Sequence, residues 1–523
     1  MFEDDDFKFE MNGDADRSST PATPLIIRCD AGAAIGNGHI MRCLALAQAW
    51  RRHGATMFAF NQIGPEITER LQTEGFATSR ITSEIGSIED ARETIAAARI
   101  RQASLVCLDG YQFGSDYQSE IKQAGHRLLV IDDVSSVSQY HADWILNQNL
   151  YARSEHYTGK AGDAQLMLGP RYALLRSEFT GVPPVRIPER RPLRLLITLG
   201  GTDPKNVTLK VLSALEKLGR SDLLVRIVVG PGNQQRGQIV DFARRLKCET
   251  QVECNVQNMR SLLEWADLAI TAGGSTCYEM FFMHVPMMVI ETAWNQSKLV
   301  QAIADTNAGI VLGTVEQLEI EQIVAALEKL LTDCALRCRL IEAGRVLVDG
   351  RGAERVAKLL ARPQITLRDC KSDDCEQLWQ LRNDPVVRQM SFSSEPIPLE
   401  THMEWFRRKL AGHDTRILIL EDEQGRFLGQ VRFDGLPSTV EISLALTAAA
   451  RGKGLSAVAI QQAVRFLEKH GIRPSISAYV KDHNVASRRA FECAGFRLVG
   501  SISRNSEVAQ QFIFQYAPAA QTS

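Results

Sequence analysis

The sequence predicts an α/β protein with two doubly wound parallel-sheet domains followed by an α+β domain. Short apolar segments rich in β-branched residues alternate with helical segments over residues 24–360, which is typical of βα units in a parallel sheet. A segment rich in proline and charge, TGVPPVRIPERRP at 180–192, interrupts this alternation once and is predicted to be a linker. Beyond residue 363 several strand-like segments follow one another, which indicates an α+β arrangement.

The first domain is predicted over residues 24–180. Its apolar segments are short, and most end at an acid, an amide or a glycine, as buried strands of a parallel sheet do. The predicted strands are PLIIRCD (24–30), TMFAF (56–60), SLVCLDG (104–110), RLLVIDD (127–133) and DWILNQN (143–149).

The second domain is predicted over residues 192–360, and the same pattern restarts there. Its predicted strands are LRLLITLGG (193–201), LLVRIVVG (223–230), DLAITAGG (267–274) and PMMVIE (286–291). Two such domains joined by a short linker form a cleft between them. In open parallel sheets ligands bind beyond the carboxyl ends of the strands, where this chain carries glycines, acids and a histidine.

The third domain is predicted over residues 363–517. Helical segments come first, then consecutive strands, and then a glycine-rich loop that leads into a helix and a further strand. The predicted strands are RILILED (416–422), FLGQVRFD (427–434), TVEISLAL (439–446) and SISAYV (475–480).

Composition excludes several classes of function. The net charge of −2 lacks the basic excess of a generic nucleic-acid surface, and no apolar run reaches the ~18 residues of a membrane span. Residues 1–23 are acidic and then rich in Ser, Thr and Pro; they resemble no signal peptide and are predicted to be a disordered tail. The 11 scattered cysteines indicate reduced thiols and a cytoplasmic protein.

No metal site is predicted. The cysteines lack a matching set of His and Cys partners at zinc-binding spacing. Asp132 and Asp133 resemble a metal-binding pair, but a turn at the end of a strand explains them more simply.

The segment GNGHIMR at 36–42 carries the first candidate catalytic residue. Gly36 and Gly38 permit a tight turn, and His39 falls in the first turn of a helix. The electropositive end of the helix favours neutral imidazole, which is a usable general base. From the residues alone, His39 is equally well explained as a polar residue that satisfies the turn.

Two glycine-rich turns in the second domain suit a pyrophosphate. TAGGSTCYE (271–279) follows a strand and opens a helix, and LGGTDPKN (199–206) has the same placement. Free backbone N–H groups at a helix start bind phosphates, and Glu279 is placed to accept hydrogen bonds from ribose hydroxyls. An ordinary tight βα turn explains either glycine pair as well.

Taken together, the motifs of residues 24–360 resemble a known enzyme family. They are, in order, CDAGAAIGNGHIMRCLALA, LDGYQ, IDD, LNQN, LGPRYALLRSEF, LGGTDPKN and AGGSTCYEM with WNQ. They resemble the nucleotide-sugar hydrolases of pseudaminic acid biosynthesis and their spore-coat-polysaccharide relatives. This resemblance implies a GT-B-like pair of Rossmann-type domains that uses water to remove UDP from a 2,4-diacetamido-2,4,6-trideoxy-altrose.

The resemblance also implies roles for individual residues. His39 matches the catalytic histidine of the family. Residues expected to line the UDP-sugar site are Asp30, Arg42, Tyr111, Gly201, Gly273, Gly274, Ser275, Thr276, Glu279, Asn295 and Gln296. Asp30 is assigned either to orienting His39 or the sugar, or to capping a turn. Gly110 departs slightly from the family pattern, since relatives often have another small or polar residue before the tyrosine. Because UDP is a good leaving group, one base suffices and a pair of catalytic carboxylates is not required.

The third domain resembles the GNAT N-acetyltransferases. LALTAAARGKGLSAVAIQQAVRFL (444–467) matches their acetyl-CoA loop, and VKDHNVASRRAFECAGF (480–496) matches a second cofactor segment. Acetyl-CoA is therefore the expected cosubstrate, and a basic surface loop is the alternative explanation. The residues expected to contact acetyl-CoA are Leu446, Arg451, Gly452, Lys453, Gly454, Ser456 and Asn484.

The acid–base groups of this domain are less clearly marked. Phe491 stands where many GNAT enzymes have a tyrosine that protonates the leaving thiolate, so Tyr479 or water is the replacement considered. Glu441 is the candidate base, with a solvated strand carboxylate as the alternative. The segment at 382–406 resembles GNAT members that acetylate amino-sugar nucleotides.

The sequence thus predicts a bifunctional enzyme of pseudaminic acid biosynthesis. Its third domain acetylates the 4-amine of a UDP-amino-sugar, and its first two domains hydrolyse the product to UDP and free sugar. A GT-B glycosyltransferase fused to an acyltransferase, and a hydrolase with a non-catalytic sensing domain, are the alternatives. The expected partners are small-molecule UDP-amino-sugars, with no nucleic acid and no membrane insertion; the oligomeric state is left open.

Overall fold

The computed structural model describes residues 23–32, 36–186, 191–230, 232–254, 256–362, 365–422, 424–505 and 507–516. They fall into two compact units, residues 1–361 and residues 362–523. The predicted tail lies outside the described residues up to residue 22. Thr23 is held by the fold, since its carbonyl accepts a hydrogen bond from Trp50 Nε1.

The first unit contains two parallel sheets, and the first sheet has seven strands in the order β3-β2-β1-β4-β5-β6-β7. The strands are β1 (Leu25–Cys29), β2 (Thr56–Phe60), β3 (Ala77–Arg80), β4 (Leu105–Asp109), β5 (Arg127–Ile131), β6 (Trp144–Asn147) and β7 (Gln165–Leu168). All pairings are parallel. Strands β1, β2, β4 and β5 are buried throughout, because helices cover both faces. The strand order reverses between β1 and β4, which opens a crevice at their carboxyl ends.

The second sheet has six parallel strands in the order β10-β9-β8-β11-β12-β13. The strands are β8 (Leu193–Thr198), β9 (Leu223–Val229), β10 (Glu249–Cys254), β11 (Leu268–Ala272), β12 (Met287–Glu291) and β13 (Ile310–Thr314). Its strand order reverses between β8 and β11, so the loops after these two strands border a second crevice.

Twelve helices surround these sheets within the described part of the first unit. They are α1 (Gly38–Trp50), α2 (Pro65–Thr73), α3 (Ile88–Ile100), α4 (Ser115–Gln123), α5 (Val207–Leu218), α6 (Arg236–Ala243), α7 (Met259–Trp265), α8 (Thr276–Phe282), α9 (Ser297–Asp305), α10 (Ile320–Thr332), α11 (Cys334–Arg345) and α12 (Gly352–Leu360). Helix α12 returns to the first sheet, where Val356 and Leu360 share a buried cluster with Leu44 of α1. The last helix of the second half thereby ties the two halves together.

The second unit contains a mixed sheet in the order β14-β15-β16-β17-β18-β20-β19. The strands are β14 (Ile365–Asp369), β15 (Thr415–Asp422), β16 (Phe427–Asp434), β17 (Thr439–Leu446), β18 (Ser475–Lys481), β19 (Arg497–Arg504) and β20 (Glu507–Phe514). The helices are α13 (Cys375–Asn383), α14 (Pro385–Met390), α15 (Leu399–Ala411), α16 (Leu455–Lys469) and α17 (Val485–Cys493). Strands β14 to β17 are antiparallel, whereas β17 and β18 are parallel and pair only as far as Glu441 and Ser477.

These sheets confirm the predicted fold class. The sequence analysis did not identify strands β3, β7, β10, β13, β14, β19 and β20, which lie at or next to sheet edges. Their residues are mostly half-buried or exposed, as in ATSR (77–80) and ETQVEC (249–254), so they lack the continuous apolar signature of the central strands. None of the helices within the described ranges has the length and apolar character needed to cross a bilayer.

Candidate active sites

His39 and Asp109 form a buried pair at the point where the strand order of the first sheet reverses. His39 lies in the first turn of α1, and Asp109 ends the neighbouring strand β4. The His39 Nδ1–H donates to Asp109 Oδ1 at 2.6 Å. Burial alone would raise the pKa of Asp109, but Arg42 and His39 lower it well below its usual range. A charged carboxylate on Nδ1 leaves the lone pair on Nε2, the form of imidazole that accepts a proton.

Arg42 lies one turn further along α1 and joins two carboxylates. Its Nε and one terminal nitrogen donate to Asp109, both at 2.7 Å. The terminal nitrogens also donate to Asp133, at 2.7 and 2.9 Å. Although burial disfavours the charged form, Asp109 and Asp133 raise the pKa of Arg42 well above its usual value. The guanidinium is therefore a fixed positive charge that holds both acids in place.

Tyr111 and Asn295 connect this cluster to the second half of the unit. The Tyr111 hydroxyl donates to Asp133 Oδ2 at 3.2 Å and accepts from Asn295 Nδ2 at 3.1 Å. The Tyr111 ring meets the His39 ring edge-on, with 5.2 Å between centroids. Burial and the neighbouring Asp133 raise the pKa of Tyr111, so the hydroxyl stays protonated. His39, Arg42, Tyr111 and Asn295 are thus brought together.

Gln296 and Gly273 make packing and turn contacts within the second half. Gln296 Oε1 accepts from the backbone N–H of Thr292 at 2.9 Å and closes its own turn. A Cβ atom on Gly273 would lie 2.4 Å from Val300 Cγ2 and 3.3 Å from Gln296 Cβ. Glycine is required at 273 because helix α9 and the turn before it approach so closely.

The loops that begin α1 and α8 face each other. A Cβ atom on Gly38 would be 3.8 Å from Ser275 Oγ, and one on Gly201 would be 3.4 Å from Asn37 Nδ2. Neither Asn37 nor Ser275 caps its helix with a side-chain hydrogen bond. The predicted residues Gly201, Gly274, Ser275 and Thr276 accordingly lie in or directly beside one cleft between the two halves. In LGGTDPKN, by contrast, helix α5 is capped by Asp203, which accepts from two backbone N–H groups at 2.8 Å.

Glu279 lies in the same small pocket as Arg42. The pocket is lined by Met41, Arg42, Gln148, Leu174, Leu175, Arg176, Ser275, Tyr278 and Glu279. Arg176 donates to Glu279 Oε1 at 2.8 Å, and burial raises the pKa of Glu279. The sequence analysis quoted the motif that contains Arg176 but gave this residue no role.

Asp30 does not join the cluster. Its carboxylate accepts from Arg28 at 2.6 Å and from the backbone N–H groups of Asn61 and Gln62 at 2.7 and 2.8 Å. These contacts agree with the turn-capping alternative, and Asp109 occupies the orienting position beside His39. The strand-end motif LDGYQ contained the signal for Asp109, since β4 adjoins β1 at the strand reversal.

Asp132 and Asp133, the two acids that follow β5, make different contacts. Asp132 accepts hydrogen bonds from Tyr140, Tyr157 and the turn that follows it. Asp133 instead holds Arg42 and Asn149. A turn at the end of the strand therefore explains Asp132, but it does not explain Asp133, whose carboxylate binds Arg42. In the part of the chain that the structure describes, no group of three or more His, Cys, Asp or Glu is arranged to hold a metal ion.

In the second unit the predicted acetyl-CoA loop follows the end of β17 at Leu446. Arg451 braces the loop, since its Nε donates to the Leu446 carbonyl at 3.0 Å and its terminal nitrogen to Asp384 at 2.6 Å. Gly452 and Gly454 adopt φ angles of +75° and +69°, which other residues rarely adopt. The loop thereby turns tightly into α16.

The remaining predicted cofactor residues lie beside this turn. Lys453 is exposed, Ser456 is in the first turn of α16, and no side chain caps that helix. Asn484 caps α17 by accepting from the backbone N–H of Ser487 at 3.1 Å. The hydrogen-bond acceptor of Asn484 is therefore already engaged, and its amide N–H₂ remains for a ligand.

Glu441 lies where β17 and β18 stop pairing. Its carboxylate is 2.9 Å from the guanidinium of Arg504, which also lies over the rings of Tyr479 and Phe392, at 4.7 and 5.3 Å. Phe491 is buried against Phe496 and other core rings. The candidate base is thus ion-paired, and position 491 belongs to the core.

A pocket of about 370 Å³ lies between α13, α15 and β16 and was not predicted from the sequence. Its lining residues are Leu378, Arg382, Ile397, Thr401, His402, Glu404, Trp405, Arg408, Gln430 and Arg432. Three of its buried polar atoms have no hydrogen-bond partner: Arg382 Nη1, His402 Nε2 and Gln430 Oε1. Burial, reinforced by Arg432 and Arg388, lowers the pKa of Arg382. The pocket contains three arginines and one glutamate, so its net positive charge suits a ligand that carries negative charge.

Two family models match parts of the chain. The glycosyltransferase family 28 C-terminal domain matches residues 194–337, and the acetyltransferase (GNAT) domain matches residues 364–497. The UDP-2,4-diacetamido-2,4,6-trideoxy-beta-L-altropyranose hydrolase of Campylobacter jejuni is 24% identical over 274 residues, 52% of this chain and 93% of the relative. The acetyltransferase YwnH of Bacillus subtilis is 34% identical over 141 residues, 25% of this chain and 83% of the relative.

A solved structure matches the first unit in fold. MurG of Acinetobacter baumannii aligns with a TM-score of 0.50 and 16% identity, covering 65% of this chain and 99% of MurG. This likeness supports the GT-B-like arrangement of the two parallel sheets.

Proposed function

We propose two reactions for this chain, which joins a member of the GNAT acetyltransferase family to a homologue of a UDP-sugar hydrolase. The first unit hydrolyses a UDP-2,4-diacetamido-2,4,6-trideoxy-altrose to UDP and the free sugar. The second unit uses acetyl-CoA to acetylate the 4-amine of the precursor UDP-amino-sugar. The buried His39–Asp109 pair is the observation that carries the hydrolase assignment.

In the hydrolytic step, His39 Nε2 takes a proton from water while the water oxygen bonds to the anomeric carbon. The bond between that carbon and the phosphate oxygen breaks, and its electron pair leaves with UDP. Asp109 stabilises the imidazolium that forms, because its carboxylate already accepts the Nδ1–H. The proton on His39 then returns to solvent or to the departing phosphate.

UDP is assigned to the cleft where α1 and α8 begin. Backbone N–H groups that no side chain caps stabilise negative charge that grows on a departing phosphate. Glu279 and Arg176 lie in the adjoining pocket, where a carboxylate can bind ribose hydroxyls. The sugar is assigned to Tyr111 and Asn295, beside His39.

In the second unit the arginine-rich pocket supports a nucleotide-sugar acceptor. Arg382 and Arg408 offer positive charge to a diphosphate, together with Arg432, which also pairs with Asp434 at 2.7 Å. The acceptor amine attacks the thioester carbonyl, its proton passes to Glu441, and CoA leaves as the thiolate. Glu441 must first separate from Arg504 to accept this proton.

Mass spectrometry of the products from UDP-amino-sugars, with and without acetyl-CoA, tests both reactions. The expected products are an acetylated UDP-sugar, CoA, free diacetamido sugar and UDP. UDP release with no acceptor sugar present separates a hydrolase from a GT-B glycosyltransferase. Binding of acetyl-CoA without any acetylated product would instead identify the second unit as a sensing domain.

A further inference from the structure

Trp294 is unusual among the six tryptophans of the chain, all of which are described. It is the only exposed one, with 73% of its surface accessible. It begins the short 3-10 turn Trp294–Gln296. Large aromatic side chains are seldom left in water without a reason, and they are enriched where ligands bind.

The position of Trp294 relates it to the catalytic pair. Its ring lies 5.9 Å from the Tyr111 ring at an angle of 48°, and the Tyr111 ring in turn lies 5.2 Å from that of His39. Trp294 comes from the second half of the first unit and Tyr111 from the first half. The two rings therefore form an angled aromatic wall across the cleft, and the wall ends at the candidate base.

The turn that carries Trp294 is held in place. Asn295 donates to the Tyr111 hydroxyl at 3.1 Å, and Ser297 Oγ donates to the Trp294 carbonyl at 3.1 Å. Gln296 closes the same turn through Thr292. The indole is thus supported by a fixed backbone while most of its surface is exposed.

We propose that Trp294 is a specificity-determining residue that packs against the apolar face of the sugar in the UDP-sugar substrate. This inference rests on the proposed hydrolase function. A deoxy sugar with acetamido groups presents C–H bonds and methyl groups instead of hydroxyls on much of its surface, and an aromatic wall binds such a surface without needing polar partners. Trp294 therefore favours deoxygenated, N-acylated sugars over fully hydroxylated ones, while UDP itself is bound elsewhere in the cleft.

Kinetics of Trp294→Ala and Trp294→Phe test the proposal. The alanine variant is expected to raise KM for the deoxy UDP-sugar about tenfold or more, with kcat within a few-fold of wild type, and Trp294→Phe is expected to restore most of the loss. The affinity for free UDP, measured by calorimetry, is expected to stay unchanged. Tryptophan fluorescence is expected to change on substrate binding in wild type and much less in Trp294→Phe.

Ile100→Ala is the matched control. Ile100 is 80% exposed and ends α3, so it lies at the opposite edge of the first sheet from the site. This control is expected to behave as wild type. Unchanged KM in Trp294→Ala, or an equal loss of affinity for UDP and substrate, would overturn the proposal. If wild-type protein releases no UDP from any UDP-sugar, the hydrolase function itself fails, which is a different result.

Discussion

In the first unit His39, Arg42, Asp109 and Asp133 are paired with one another, whereas in the second unit several polar atoms of the pocket have no partner. Arg42 donates to two carboxylates through all three of its nitrogens. Arg382 has an unpaired terminal nitrogen and lies near two other arginines whose charge disfavours its own. The cluster around Arg42 is fully paired without a ligand, whereas the pocket around Arg382 has three arginines and only one lining acid, Glu404.

This difference indicates two ways of using buried charge. A network that is already paired costs no reorganisation when the reaction occurs, so it suits groups that must hold a base in one orientation. An unpaired cluster destabilises the empty protein and is stabilised only when a ligand supplies the missing charge. We therefore assign catalysis to the first arrangement and acceptor recognition to the second.

Replacing His39 with alanine should have the largest effect of the changes considered, and it should lower only the activity of the first unit. Loss of the general base is expected to lower the kcat for UDP release by about 10²–10⁴-fold. Acetyl transfer by the second unit should be unaffected, which a CoA-release assay on the same preparation measures. UDP release at the wild-type rate would remove His39 from the mechanism.

Arg42→Met should destabilise the protein far more than Arg382→Met. Removing Arg42 leaves Asp109 and Asp133 buried without a counter-charge, which is expected to cost about 3–5 kcal/mol. Removing Arg382 relieves repulsion in the empty pocket but loses one hydrogen bond to the Ser393 carbonyl, so the free energy of unfolding should stay nearly constant. The acceptor KM should nevertheless increase about tenfold or more, since a charged hydrogen bond is lost.

Chemical denaturation and acetyl-transfer kinetics check this pair. Arg416→Met is the control for the second unit, because Arg416 forms an exposed ion pair with Asp369 and does not line the pocket. Equal destabilisation by Arg42→Met and Arg382→Met would contradict the contrast between the two sites.

Asp109→Asn tests whether the carboxylate positions His39. An amide can donate to Nδ1 and so favour the wrong tautomer of the imidazole, and kcat is expected to fall by about 10²-fold or more. The matched control is Asp90→Asn, which removes an equally buried carboxylate paired with Arg28. Both variants should lose stability, but only Asp109→Asn should change the pH–rate profile for UDP release.

The pH dependence of stability follows from the same carboxylate. The pKa of Asp109 is lowered in the folded protein, so its contribution is fully present above the unfolded value of about 4. That contribution is lost as the pH falls further, through the folded pKa. The acid unfolding transition of wild type should therefore be steeper than that of Asp109→Asn.

The sequence analysis pointed to residues within short motifs. It omitted residues of the same cluster that lie far away along the chain. The local pattern brought out His39, and the family resemblance added Arg42, one helical turn away. Asp109 and Asp133 are separated from Arg42 by 67 and 91 residues, and only the order of the parallel strands brings them close. Asp30 was equally prominent at a strand end, but its contacts are to Arg28 and a neighbouring turn.

The pocket of the second unit was harder to foresee. Arg382 and His402 lie within the segment noted for its resemblance, whereas Gln430 and Arg432 come from a strand across from them. That Arg382, His402 and Gln430 each have an unpaired atom depends on packing between two helices and a sheet. A local sequence pattern cannot show that a buried atom will lack a hydrogen-bond partner.

Phe491→Tyr should have the smallest effect and tests the identity of the acid in acetyl transfer. Phe491 is 5% exposed, and its ring lies 5.1 Å from that of Phe496 within the core. A hydroxyl added there lacks a partner, so the free energy of unfolding should fall by about 1–3 kcal/mol, with no change in kcat. Phe496→Tyr should give a similar loss and is the control. A higher kcat in Phe491→Tyr alone would place this position beside the leaving thiolate, and the proton for CoA would then have to come from residue 491 and not from Tyr479 or water.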